Sequence, residues 1–557
     1  MIKKATISVT LEDNSKVACP ADTPVEQLLK DRGDAQGRHY LGAVVNNQVV
    51  TLEFRLEVDS TVRFLTFADP LGWRIYRSTA SFLLAKTVKE LFPEAKFSIE
   101  HSLGTGFYCY FEQQGAEGIS DEQLAAIDRR MHELVAQDLP IERRKVRYEE
   151  AVSQFEQQGL PDKVNLLRYR NPPKVVIYAC ESFTDLSQGP MAASTGAITH
   201  FGLIRHEPGF VIQFPDRSVP PRIPTLRQEP QLFTIFQEHK RWGRILNVNT
   251  VGRLNEIIAT NESPDFIRIA EAFHEKKIAK IADHVFANKD RIRWLMIAGP
   301  SSSGKTTFAK RLAVQLRVNG LQPVMVSVDN YFVDREHTPK DAKGENDYEH
   351  IEAIALDLFN DHLRKLDQGD EVELPTFNFQ IGRQEFKGHK LKLQPNQIVI
   401  LEGIHCLNPR LTEVLPKERK FRIYISALTQ LNLDRNNRIS TTDNRLVRRL
   451  VRDHQFRGHS ALVTMNMWPS VRRGEKNWIF PFQKEADIAF NSALDYELAV
   501  LKPLVEPLLA EIKPIHPQYV EARRMQEFLS SFLSIPPDLV PPTSLLREFI
   551  GKSSFRY

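Results

Sequence analysis

The stretch RIRWLMIAGPSSSGKTTFAKRLAVQL, residues 291 to 316, constrains this chain more than any other, because a buried strand, a small-residue loop and a helix must follow one another within it. Trp294 to Ala298 form an unbroken apolar run before the loop. Phe308, Leu312 and Leu316 recur at helical spacing after it, and Gly320 supplies a stop. The loop itself fits G-x-x-x-x-G-K-[ST] through Gly299, Gly304, Lys305 and Thr306. Its glycines let backbone N–H groups close on an anion, Lys305 brings a point charge to the outer phosphates of a nucleotide, and Thr306 offers a hydroxyl to a magnesium ion. The helix that follows aims its N-terminal dipole at the same anion. Gly299, Ser301, Ser302, Ser303, Gly304, Lys305, Thr306 and Thr307 are therefore the expected contacts of ATP, with Mg²⁺ held by Thr306 and by Glu402 further on.

The rest of the chain is ordinary in bulk. A hydrophobic share of 42% and a charged share of 26% over 557 residues predict several globular domains. A formal charge of +4 against 74 basic and 70 acidic residues argues for neither nucleic acid nor a membrane as a bulk electrostatic partner. Cys19, Cys109, Cys180 and Cys406 lack C-x-x-C spacing, so neither a disulfide framework nor a structural zinc site is expected, and a reducing cytoplasm fits best. MIKKATISVTLED alternates polar and apolar residues where a signal peptide needs a continuous apolar core, and no apolar run is long enough to span a bilayer.

Residues 1–67 read as a small β-grasp unit. Ile7, Val9 and Leu11 alternate as a half-buried strand does, Thr23-Pro24-Val25-Glu26 starts a short helix through Leu28 and Leu29, and residues 41–54 read as two strands about Asn46-Asn47. Val62 and Phe64 belong to a last strand. Over residues 68–225, a helix within 68–97 carries Phe82, Leu83, Val88 and Leu91 on its apolar side, GTGFYCYFE follows at 104–112, and ESFTDLSQGPMAASTGAITHFGLIRHEPGFVIQF spans 181–214. In this order the two segments resemble the TGS domain and the editing-type domain at the front of threonyl-tRNA synthetases. That resemblance implies H-x-x-x-H and C-x-x-x-H site positions, which here are Arg77, Ser81, Ser187 and Met191. Arginine is permanently charged and methionine is a weak acceptor, so neither replaces a histidine as proton carrier or zinc ligand. A site of this composition is expected neither to edit nor to bind zinc; RNA contact through these domains remains open, as does a role in holding a small ligand or the rest of the chain.

Pro215, Pro220, Pro221, Pro224 and Pro230 interrupt regular structure, after which residues 226–290 read as a helical connector with Ile269, Phe273, Ile278, Ile281 and Val285 on one face. From 291 to about 512 strands and helices alternate: 324–328, 351–366, 397–403 and 421–426 follow the phosphate loop, which predicts an α/β unit with a parallel sheet covered by helices on both faces. Polar residues gather at the carboxyl ends of those strands, where such sheets bind ligands. GPSSSGKTT, VDNYF at 328–332, NDYEH at 346–350, PTFNFQIGR at 375–383, LEGIH at 401–405 and RRLVRDHQFRGH at 448–459 together resemble the uridine kinase and phosphoribulokinase family. The resemblance implies an ATP-dependent phosphotransferase in which Asp329 is the base for a sugar hydroxyl. Lys305 and the lid arginines Arg449, Arg452 and Arg457 would neutralise the phosphates, and Gly458 would serve as a hinge. Tyr331, Glu349, Phe377 and Arg383 would face the acceptor. Two positions depart from the nucleoside-specific pattern: Phe377 and Gly382 stand where a tyrosine and a histidine contact the base, so the acceptor is a nucleoside or another small hydroxylated compound. Residues 513–557 form a proline-broken tail with a brief helix, to which no chemistry is assigned.

Overall fold

The computed structural model describes residues 6–31, 40–218, 221–226, 230–341, 344–378 and 380–556. Lys3, Lys4, Pro220 and Phe379 lie outside them. Among the described residues there are six β-sheets, two of them two-stranded, and the sheet under the phosphate loop is parallel throughout.

The first sheet runs in the order Lys16–Pro20, Thr6–Leu11, Ser60–Thr66, Tyr40–Val45, Gln48–Val50. Thr6–Leu11 and Ser60–Thr66 are parallel neighbours, and the helix Val25–Asp31 covers one face through Val25 and Leu28. The Asn46-Asn47 turn has φ of 47° and 58°, the left-handed pair that a two-residue hairpin requires. The 22-residue helix Pro70–Leu91 then lies between two sheets, which is why every residue from Phe82 to Val88 is buried, Lys86 and Thr87 included. Leu83, Leu84 and Val88 pack on the strands Gly106–Gln113 and Gly209–Gln213. Phe82 and Ala85 pack on the smaller sheet of Glu142–Val146, Val175–Cys180 and Phe183–Asp185. Leu91, expected on the apolar side, is exposed at the helix end.

Three helices, Pro230–Leu246, Val251–Ala259 and Ser263–Ala287, form the connector, and Pro230 opens the first of them rather than breaking structure. Ile278, Ile281 and Val285 pack against Phe308, Leu312 and Leu316 of the helix after the phosphate loop, while Ile269 is exposed. The C-terminal sheet has the order Gln322–Ser327, Gln397–Glu402, Trp294–Ala298, Lys420–Ser426, Ile488–Asn491. Its fifth strand is only four residues long, too short to carry a clear periodic signature. The helix expected over 351–366 is Leu356–Gln368, because Ile351–Ala353 forms a separate 3₁₀ turn.

One segment binds the two halves of the chain together. Residues 431–438, between the strand Lys420–Ser426 and the helix Thr441–Arg457, lie on the N-terminal half. Asn432 Nδ2 donates to the Ile99 carbonyl at 2.9 Å, Ile99 N–H donates to the Arg435 carbonyl at 2.8 Å, and Arg435 N–H donates to Asp162 at 2.8 Å. Beneath them Lys163 is buried between Asp185 and Asp434, 3.0 Å from the latter. Among the described residues no helix is long and apolar enough to cross a membrane, and the four cysteines are buried and unbridged.

Candidate active site

The strand Trp294–Ala298 is buried along its whole length and delivers the loop to the carboxyl edge of the sheet. Gly299 must be glycine because a Cβ there would lie 2.1 Å from the Ile425 carbonyl oxygen of the neighbouring strand. Gly304 caps the helix Lys305–Val318. Lys305 Nζ folds back onto the Pro300 carbonyl at 3.4 Å, and the Thr306 hydroxyl donates to Glu402 at 3.4 Å. Ser301 contacts the helix Thr441–Arg457 and the turn Glu475–Ile479: its hydroxyl accepts from Arg449 at 2.9 Å and its N–H donates to Glu475 at 3.2 Å. Ser302 and Ser303 are buried beneath the loop, where their carbonyls accept from Arg448 and from the Ser492 hydroxyl respectively.

Three carboxylates converge on Lys305. Glu402 ends its strand as expected, and Asp329 sits one residue into the 3₁₀ turn Val328–Tyr331 that follows the strand Gln322–Ser327. Burial pushes Asp329 above the usual carboxylate range, against the pull of Lys305, Arg457 and Arg452. Burial likewise raises Glu402 to about 7, with Lys305 opposing and Asp329 and Glu548 adding to the rise. Glu349 is raised to about 7 by burial and by Glu475, despite Arg449 and Lys305. A cluster of acids raised above their ordinary range around one lysine is poised for proton transfer and for a cation.

The arginines of the helix Thr441–Arg457 divide into two sets. Arg445 and Arg448 are fully buried struts, ion-paired to Glu475 and Glu497. Arg449, Arg452 and Arg457, the three expected to act on phosphate, share the buried Asp453 at 3.2, 2.7 and 3.6 Å. Burial works against a charge on Asp453, yet Arg452, Arg449 and Arg457 together hold it below its ordinary range. Arg457 keeps half of its side chain in solvent, and Gly458 is the helix C-cap at φ 65°.

On the acceptor side the expectations divide. Glu349 lies in the fields of Lys305, Arg449 and Asp329, and Phe377 is tilted on Phe332 at 5.7 Å. Tyr331 does not join them: it is 1% exposed, packs edge-on to Phe359, and bonds through its hydroxyl to His362 at 3.0 Å, so its polar group is used inside the core. The spacing V-D-N-Y-F could not show that the 3₁₀ turn points Asp329 and Tyr331 in different directions. Arg383 is exposed at the end of the hairpin formed by Glu371–Asn378 and Arg383–Lys392. Gly382 has φ 69° in that turn, and a Cβ would meet the Arg335 side chain at 2.7 Å, so no histidine fits the place.

Three groups were missed. Asp453 stands inside the quoted arginine motif and could have been found as their shared counter-ion. Glu475 begins the π-helical turn Glu475–Ile479, held below its ordinary range by Arg445 and Arg472 although burial opposes this. Glu548, in the tail, accepts from Thr307. Arg77, Ser81, Ser187 and Met191 all line one cavity of about 2050 Å³ between the N-terminal half and the helix Thr441–Arg457, which also reaches Pro300 of the phosphate loop.

Residues 295–499 match the model of the Phosphoribulokinase / Uridine kinase family. The N-terminal region matches threonine–tRNA ligases: that of Symbiobacterium thermophilum is 35% identical over 199 residues, 36% of this chain and 30% of the ligase. The ligase of Desulforamulus reducens is 31% identical over 201 residues, 36% of this chain and 31% of the ligase. The chain thus spans under a third of the length of these curated relatives. A solved structure described as a possible uridine kinase from Bacillus stearothermophilus aligns with 39% of this chain and 98% of its own at 17% identity, with a TM-score of 0.28. Residues 295–499 therefore form a domain of the phosphoribulokinase and uridine kinase family, carried on a chain whose N-terminal region is similar to threonine–tRNA ligases.

Proposed function

We propose that the C-terminal unit is an ATP-dependent kinase that phosphorylates a hydroxyl of a small acceptor, a nucleoside or a related polyhydroxylated compound. The observation that carries this reading is the placement of Asp329 in the fields of Lys305, Arg457 and Arg452 at the carboxyl edge of the parallel sheet. Phosphoryl transfer asks a protein for positioning and charge neutralisation more than for covalent chemistry, and this group supplies both. A switch that only hydrolysed nucleotide would have no need of an acceptor-side base.

Asp329 accepts the proton of the acceptor hydroxyl, and its burial makes it a stronger base than a surface aspartate. Lys305, Arg449, Arg452 and Arg457 balance charge on the transferring group. Glu349 holds acceptor hydroxyls, and Phe377 offers a face for a planar group. The oxygens of Thr306 and Glu402, 3.4 Å apart, are hard donors suited to magnesium, and the mutual repulsion of Glu402 and Asp329 favours a cation beside them. Magnesium bound there would supply charge neutralisation on the outer phosphates. With Gly382 in place of a histidine, base recognition loses a polar contact, so discrimination among acceptors should be weak.

The test is a panel of nucleosides and sugars with full-length protein, ATP and Mg²⁺, read as acceptor-dependent ADP release. One observation favours a second reading, an RNA-associated protein that hydrolyses nucleotide: the N-terminal similarity to threonine–tRNA ligases. That reading requires RNA-stimulated hydrolysis with no acceptor dependence in the same assay.

A further inference from the structure

The cavity between the N-terminal half and the helix Thr441–Arg457 is lined by nine arginines, of which four are ion-paired. Arg74 and Arg524 engage Glu521, and Arg524 also takes Asp443 at 2.7 and 2.8 Å. Arg445 and Arg472 engage Glu475. Two differ. Arg77, on the helix Pro70–Leu91, and Arg438, on the segment just before the lid helix, have no carboxylate within ion-pair distance among the described residues. Their guanidinium centres lie 5.3 and 4.7 Å from the Phe107 ring, and Arg77 is also 3.9 Å from that of Trp73. Arg438 uses Nε on the Glu100 carbonyl at 3.1 Å, which leaves the outer nitrogens of its fork available. Arg77 Nε and, one turn along the same helix, Ser81 Oγ are buried with no hydrogen-bond partner.

We propose that this cavity binds a phosphorylated ligand, its phosphate held between Arg77 and Arg438 with Ser81 as a further donor. Two guanidinium groups with no directly paired acid, Asp443 acting on both from beyond ion-pair distance, present a positive, planar, donor-rich surface, and a phosphomonoester dianion matches it in charge and geometry better than a carboxylate does. Burial, together with the charges of Arg438 and Arg74, lowers Arg77 to about 9, and burial lowers Arg438 to about 10, with Asp443 opposing the fall in both. Both stay charged at neutral pH, and an anion relieves the repulsion. The volume of about 2050 Å³ exceeds the roughly 300–1,000 Å³ of ordinary small-molecule sites. There is room for a phosphate on a larger body, either a free nucleotide or the end of a single-stranded polynucleotide. Such a ligand would touch the N-terminal half and the lid-bearing segment at once.

The inference does not rest on which acceptor the C-terminal unit uses. It is tested by calorimetry on the full-length protein with the phosphate loop saturated by MgADP, titrating inorganic phosphate, a nucleoside 5′-monophosphate and a 5′-phosphorylated single-stranded RNA hexamer. At least one probe should bind the wild type. Arg77→Met and Arg438→Met should each weaken it by about tenfold or more, and Ser81→Ala by a few-fold, with MgADP affinity unchanged. Binding of the monophosphate as tightly as the hexamer identifies a free nucleotide as the source, and binding of the hexamer alone identifies a nucleic-acid end. Arg77→Lys, which keeps the charge but not the fork, should fall between and guards against misreading an unfolded variant. The proposal is overturned if the wild type binds none of the three, or if folded Arg77→Met and Ser81→Ala bind as the wild type does.

Discussion

Glu548 of the C-terminal tail accepts hydrogen bonds from both the N–H and the hydroxyl of Thr307, at 3.1 and 2.7 Å, at the mouth of the helix that follows the phosphate loop. Helix N-termini attract anions, and here a carboxylate of the same chain stands on a donor that the sequence assigns to nucleotide phosphate. Glu548→Gln keeps the size but loses the charge. It should bind MgATP more tightly, by roughly three- to thirtyfold, in a fluorescent-nucleotide titration. Weaker binding in the variant would instead make Glu548 part of the nucleotide site.

Lys305 and Asp329 should fail differently. Lys305→Ala removes the charge that serves the phosphates, so nucleotide affinity and turnover should both collapse while the thermal melt is retained. Turnover near wild type would remove the kinase reading. Asp329→Asn keeps the shape but cannot accept the proton, so acceptor-dependent turnover should fall by on the order of 10² to 10⁴. MgATP affinity should barely change, because the loop from Gly299 to Thr306 holds the phosphates. Unchanged turnover with a confirmed acceptor would end the case for Asp329 as base.

The phosphate loop, four of the five parallel strands and the carboxylates at their ends were legible because each rests on a local pattern: an apolar run, a glycine at a close approach, an acid at a strand terminus. Tyr331 and Glu548 were not, for opposite reasons. Tyr331 lies in a motif whose residues look equivalent in sequence, but a 3₁₀ turn rotates it into the core against His362. Glu548 reaches Thr307 across 241 residues with no periodic signal to announce it. The approach of Arg438 to Arg77 is of the second kind, since Arg77 stands out in sequence only as a site position and nothing links it to Arg438 until residues 431–438 dock on the N-terminal half. Legibility ended where side chains distant in sequence had to be neutralised together.

Glu349 gives the structure a pH signature. Its ordinary pKa of 4.5 is raised to about 7 in the fold, first by burial and then by Glu475. The folded state therefore holds this proton more tightly than the unfolded chain does, so the group's contribution to stability is complete below about pH 4.5 and is lost as pH rises through 7. Glutamine has no proton to lose. Glu349→Gln should melt with the wild type at pH 5 and higher than it, by on the order of a few degrees, at pH 8.5 without nucleotide. A wild type that is the more stable of the two at pH 8.5 would refute the buried-acid account.

Lys163 tests whether the N-terminal half fixes the lid-bearing segment. It is fully buried between Asp185 and Asp434, and these carboxylates hold its proton more firmly than usual even though burial opposes the charge. Asp434 also organises the turn beneath Arg438, accepting the N–H groups of Asn436 and Asn437 at 2.9 and 3.0 Å. Lys163→Met preserves much of the volume but leaves two acids facing each other out of water, a change that in buried pairs costs about 3–5 kcal/mol. Part of that penalty can be avoided by protonation: Asp185, raised to about 6 chiefly by burial, should take up a proton once the lysine is gone. The variant should therefore be less stable than the wild type, with the deficit shrinking as pH falls from 8 to 5. Because residues 431–438 lead directly into the helix carrying Arg449, Arg452 and Arg457, limited proteolysis should cut the variant near this segment sooner. Acceptor-dependent turnover should fall more than MgATP affinity. If stability drops but proteolysis at 431–438 and turnover stay as in the wild type, the triad is a structural tie alone and the lid helix is positioned from within the C-terminal unit.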